Sequence, residues 1–204
     1  TNAPAVLSNV VAIATGGGEN LALKSDGTVA AWVNGVLSTN LPPTLSNVVS
    51  IAAGSSHNVA LRSDGTVVAW AEQGSSCGWG QTNVPPDLSN VVSIASGGFH
   101  TLAQKNNGTI VAWGWNKYGQ SNIPVGLSNA VALAGGSSHS MALKADGTVI
   151  AWGENSSGQT SVPAGLTNVV AIEAGINHSL ALKSDGTVVA WGGGGSVKRM
   201  CRQA

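Results

Sequence analysis

Three markers recur along the chain in one register, and a repeat of this kind restricts the fold more than any other feature of the sequence. The first is Asp-Gly-Thr, beginning at Asp26, Asp64, Asp146 and Asp185, with Asn-Gly-Thr at Asn107. The second is Leu-Ser/Thr-Asn, beginning at Leu7, Leu45, Leu88, Leu127 and Leu166. The third is the series Trp32, Trp70, Trp113, Trp152 and Trp191. All three step by 38, 43, 39 and 39 residues, so the chain is five copies of a unit of about 39 residues. One copy is expanded between Glu72 and Gly80.

Each copy reads as strands. In the last one, Val169 to Ala174 is a short β-branched run and His178 to Leu182 alternates. Asp185-Gly186 then separates that run from Val188 to Trp191, a hairpin signal in which both turn residues are expected at positive φ. A Gln-Thr-x-Val-Pro segment, as at Gln159 to Pro163, supplies a fourth, edge strand. No segment carries a helical period. A four-stranded unit of this length is a β-propeller blade, which buries its faces only by stacking on neighbours. The expected fold is all-β: a propeller of five four-stranded antiparallel blades over residues 1–195, with the five register Trp as core.

The termini sharpen this. The last copy lacks its Gln-Thr-x-Val-Pro segment, while Thr1 to Asn9 aligns with Thr82 to Asn90. The N-terminal strand is therefore expected to close the last blade, within one chain or in a dimer that completes the ring. Residues 196–204, Ser-Val-Lys-Arg-Met-Cys-Arg-Gln-Ala, abandon the repeat and read as a flexible basic tail. Cys77 and Cys201 are the only cysteines and lie in blades that are not neighbours. Composition excludes several classes. With 43% hydrophobic residues and no net charge, the chain is neither disordered nor basic enough for nucleic acid or an anionic membrane. Its apolar runs are far shorter than the roughly 20 residues of a membrane-spanning helix.

The pattern Gly-x-x-His-Ser-Leu-Ala-Leu-Lys-x-Asp-Gly-Thr-Val-x-Ala-Trp-Gly, at Gly175 to Gly192, resembles the repeat of the regulator of chromosome condensation family. The short units and the Gly-Gln-Thr-x-Val-Pro segment are similar to its bacterial branch, which includes secreted β-lactamase inhibitory propellers. Family propellers typically have seven blades, and this chain carries five repeats. The resemblance implies a binding role in an extracellular or periplasmic setting. In the inhibitory relatives, aromatic residues in two loops form the protein-binding surface.

Two constellations are candidates for function. Four aromatic residues lie outside the register: Trp79, Phe99, Trp115 and Tyr118. All fall in loops expected on one face of repeats 2 and 3, where Trp and Tyr would anchor a protein or stack on a glycan. Glu72, Asn116 and Lys117 would add polar contacts. The second constellation is His57, His100, His139 and His178, at one repeat position where the first copy has Glu19. Turned to the axis, these side chains would form a ring for a divalent metal ion and hydrolyse an ester or lactone. Held within the repeat pattern, the same histidines would bond neighbouring loop backbone. The sequence favours a non-enzymatic binding propeller, with the metal-dependent hydrolase and a pure repeat scaffold, or fragment of a larger propeller, as alternatives.

Overall fold

The alternating runs of each repeat become one antiparallel sheet, and the turn residues between them become its connections. A computed structural model describes residues 3–4, 7–72, 74 and 78–193, with the backbone of 198–200. Among these residues there is no helix. The first sheet holds β1 (Val10–Thr15), β2 (Asn20–Lys24), β3 (Val29–Val33) and β4 (Val36–Leu37). The second holds β5 (Val48–Ala53), β6 (His57–Arg62) and β7 (Val67–Ala71). The third holds β8 (Val91–Ser96), β9 (His100–Lys105) and β10 (Ile110–Gly114), and the fourth β11 (Ala130–Gly135), β12 (His139–Lys144) and β13 (Val149–Gly153). The fifth holds β14 (Val169–Ala174), β15 (His178–Lys183), β16 (Val188–Gly192) and β17 (Lys198–Met200).

The sheets are the blades of a propeller, and the core lies between them rather than within any one. Leu21 and Leu23 of the first close on Val48, Ala60 and Trp70 of the second. Leu61 meets Ala103 and Trp113, Leu102 meets Ala142 and Trp152, and Met141 meets Ala181 and Trp191. A Trp buries about 150–250 Å², worth about 4–6 kcal/mol as an upper bound, so the register Trp dominate these interfaces. The ends of the five innermost strands and the Gly-rich loops after them surround one axial channel of about 310 Å³. Consecutive loops are tied around its mouth by main-chain bonds, Gly17 N to Gly54 O, Ser55 N to Gly98 O, Gly98 N to Gly136 O and Ser137 N to Gly175 O.

The innermost strand of every blade carries a β-bulge near its start, as between Val10 and Ala12. Just before it stand Asn9, Asn47, Asn90, Asn129 and Asn168, all at φ of 54 to 58°. This explains the Leu-Ser/Thr-Asn marker, since asparagine tolerates the left-handed region better than other side chains.

Four details differ from the sequence expectation. In the Asp-Gly hairpins only the glycine has positive φ. Asp26 instead accepts from the backbone N and the hydroxyl of Thr28, a bond that fixes the turn without a left-handed aspartate. The Gln-Thr-x-Val-Pro segments are turns and extended links rather than fourth strands, because their polar groups are spent on the neighbouring blades. The fourth strand of the fifth sheet is β17, paired against Val188–Ala190, at the place expected for the N-terminal segment. β17 lies inside the stretch read as a tail. The outer faces of the first and fifth sheets are open. Ile13 is 76% and Leu182 is 38% exposed, whereas Leu61 and Leu143, at the position of Leu182, are buried between sheets. Thr1, Asn2, Ala5, Val6, Cys77 and Cys201 lie outside the described residues.

Candidate functional site

The histidines form a relay between blades. Nε2 of His57, His100 and His139 lies 2.9, 2.9 and 3.0 Å from the hydroxyls of Thr101, Ser140 and Ser179 in the following blade. Ser140 and Ser179 donate onward to the carbonyl oxygens of Gln120 and Gln159 at 2.8 Å. Those carbonyls also accept Nε1–H of Trp152 and Trp191 at 2.9 and 2.8 Å. With the hydroxyl protons of Ser140 and Ser179 committed to the glutamine carbonyls, Nε2 of His100 and His139 is left to donate. Burial lowers the pKa to about 4 for His57, about 3 for His100, where the neighbouring His57 and His139 add to it, and about 4 for His139.

Among the described residues these side chains do not form the metal ring raised as an alternative. The three histidines are buried between sheets and none lines the axial channel. Among the described residues no three His, Cys, Asp or Glu side chains gather to hold a metal ion. Glu19 belongs to the same relay position: its Oε2 accepts from Nδ2 of Asn58, at the place of the hydroxyl residues. His178, on the open face of the fifth sheet, is exposed.

The four unregistered aromatics do come together. Trp115 is the hub, with its ring centroid 6.0 Å from Trp79, 5.9 Å from Phe99 and 5.5 Å from Tyr118. The rings meet tilted or edge to face, at 50, 83 and 84°. Trp79 is 58% and Tyr118 41% exposed, while Phe99 and Trp115 are half-buried beneath them. The Lys117 ammonium stands 5.3 Å from the Tyr118 ring centroid.

The polar residues named from sequence divide. Lys117 belongs to the exposed patch. Asn116 braces its own loop, accepting from Ser121 N and donating to Asn122 Oδ1. Glu72 is buried, its carboxylate set against the Gly16–Gly18 loop of the first blade. Burial raises its pKa to about 7, with the nearby Glu19 charge adding to it against the backbone donors of Glu19, Gly18 and Gly17. Sequence reasoning missed the glutamines. Oε1 of Gln81 accepts from Trp79 N at 3.1 Å, and Oε1 of Gln120 from Tyr118 N at 2.9 Å. Both are fully buried, so they carry the two exposed aromatics on the wall between blades. Their signal was the invariant spacing of two residues after each aromatic, Trp79 to Gln81 and Tyr118 to Gln120.

Four segments, residues 48–70, 91–120, 130–159 and 169–196, match the Regulator of chromosome condensation (RCC1) repeat and make up more than half of the chain. The chain belongs to the RCC1 repeat family. Several solved structures share its fold. Yeast RCC1 (Prp20), crystallised bound to Kap60, is 22% identical with a TM-score of 0.75 over 90% of this chain and 56% of its own. Human WBSCR16 is 17% identical with a TM-score of 0.73 over 93% and 63%. The ectodomain of the Physcomitrella patens receptor kinase CR4 is 22% identical with a TM-score of 0.75 over 93% and 53%. The chain thus spans between 53% and 63% of the length of these three proteins. The structure of Prp20p from Saccharomyces cerevisiae was described with its binding properties to Gsp1p and histones. Among curated proteins none matches the chain.

Proposed function

We propose that this RCC1-type propeller is a non-enzymatic protein-binding module whose docking surface is the cluster of Trp79, Phe99, Trp115 and Tyr118. One observation carries the reading: the only aromatics outside the repeat register gather around one ring on one face. The repeat itself does not require them there. Large aromatic side chains held by buried supports offer contact area at small entropic cost, which is what interface anchors need. The edge-to-face packing favours a protein over a glycan. A sugar stacks on a flat open ring, whereas rings at 83 and 84° leave a notched surface that a side chain fills. The binding of Kap60 by yeast RCC1 (Prp20) supports the use of such a propeller for protein partners.

The test uses Trp79→Ala with Tyr118→Ala, the two exposed members. Binders selected from a displayed random-peptide library on the wild-type chain should lose roughly tenfold or more in affinity for the variant, with its thermal midpoint nearly unchanged. Binders that ignore the substitution, or a glycan array that retains the wild type alone, would refute the proposal.

A further inference from the structure

The opposite face of the propeller carries a second departure from the repeat, in the third unit. On that face the Asp-Gly hairpins alternate with the bulged starts of the innermost strands, where Val92 and Val131 stand 56% and 59% exposed. Between the hairpins of the third and fourth blades runs a groove of about 600 Å³ bounded by these two valines. The corresponding groove between the first and second blades measures about 470 Å³.

The larger groove differs in charge as well. In four repeats an aspartate follows two residues after the hairpin lysine or arginine, at Asp26, Asp64, Asp146 and Asp185. It pairs directly in two of them, Lys144 with Asp146 at 3.0 Å and Lys183 with Asp185 at 3.4 Å. In the third repeat Asn107 replaces it, and Lys105 has no ion-pair partner among the described residues. The Asn107 side chain still does the structural work of the aspartate, since its Oδ1 accepts Thr109 N at 3.0 Å. The substitution therefore leaves the turn intact and releases one lysine into the groove. Asn106 and Asn129, also on its walls, are exposed amides.

We infer that this groove docks an extended peptide segment that carries a carboxylate side chain beside aliphatic ones. The carboxylate takes the free Lys105 ammonium as a charge-assisted hydrogen bond. The peptide backbone takes the amides of Asn106, Asn107 and Asn129, and its aliphatic side chains cover Val92 and Val131. This site lies across the propeller from the aromatic cluster and stands or falls independently of it.

The experiment is fluorescence anisotropy of a labelled acetyl-Gly-Val-Asp-Val-Gly-amide peptide, and of the same peptide with asparagine in place of aspartate, against the full chain. The acidic peptide should bind more tightly and weaken as salt is raised. Lys105→Gln should weaken binding roughly tenfold, the loss expected for a hydrogen bond to a charged group. Asn107→Asp should weaken it comparably, because it hands Lys105 an internal partner while restoring the residue the other four repeats carry. Its thermal midpoint should not fall, which separates loss of the site from loss of the fold. The inference is overturned if both variants bind like the wild type, if the neutral peptide binds as well, or if glucuronate occupies the groove and the peptide does not.

Discussion

Acid should destabilise this propeller well before its aspartates are titrated. In the unfolded chain a histidine takes up its proton near pH 6.5, whereas His57, His100 and His139 stay neutral in the fold down to about 4, 3 and 4. Their folded values are depressed, so the stability they contribute is present above pH 6.5 and is lost as pH falls toward those values. Glu72 acts in the opposite sense. Its value is raised from 4.5 to about 7, so the fold holds its proton where the unfolded chain has released it, and stability drains as pH rises from 4.5 through 7. Between pH 4.5 and 6.5 the three histidine protons less the one on Glu72 leave two taken up on unfolding. At about 1.4 kcal/mol per proton and pH unit, stability should fall by about 2.7 kcal/mol for each unit of acidification. A drop from pH 6.5 to 5 would then remove about 4 kcal/mol, a large part of the roughly 5–15 kcal/mol of a typical domain. Urea titrations at half-unit intervals from pH 5 to 8 measure this. Glu72→Gln should steepen the acid limb toward three protons and remove the decline near neutrality. His139→Gln should flatten the limb by one proton. A wild-type stability constant from pH 6.5 to 5, or variants with an unchanged slope, would refute the reasoning.

Other predictions follow from the relay and the loops. Gly97→Ala places a Cβ 2.1 Å from His100 Cε1 and 2.6 Å from Gly136 O, so it should destabilise by at least about 1–3 kcal/mol in the same titration. Gln120→Leu keeps the carbonyl that holds Trp152 but removes the Oε1 that holds Tyr118 N. It should cost about 1–3 kcal/mol and weaken binders of the aromatic face even where the fold is fully populated.

The repeat made the blades legible because its chemistry recurs: Val and Ile runs, Asp-Gly turns and register Trp each report one local demand. The aromatic cluster was legible for the complementary reason, as residues that no repeat demand explains. What escaped notice depends on partners one repeat away. Nothing in the Gln-Thr-x-Val-Pro pattern reveals that a backbone carbonyl at Gln159 serves both Ser179 and Trp191, which removes the segment from the sheet. Likewise Glu72 looks like any loop acid beside Trp79 until the glycine loop of the previous blade covers it. The histidine position signalled importance, but the choice between a metal ring and a relay rested on side-chain direction, which spacing alone does not determine.

The reach of that relay has a genetic consequence. His139 bonds Ser179 forty residues on, and Trp191 returns thirty-two residues to Gln159, so each link begins in one unit and ends in the next. Copying or deleting one whole unit hands every blade a set of partners of the kind it had before. A deletion of half a unit would instead strand a buried imidazole and a tryptophan without acceptors. Blade number is thus open to change by unequal recombination, while the frame in which units are joined is held fast.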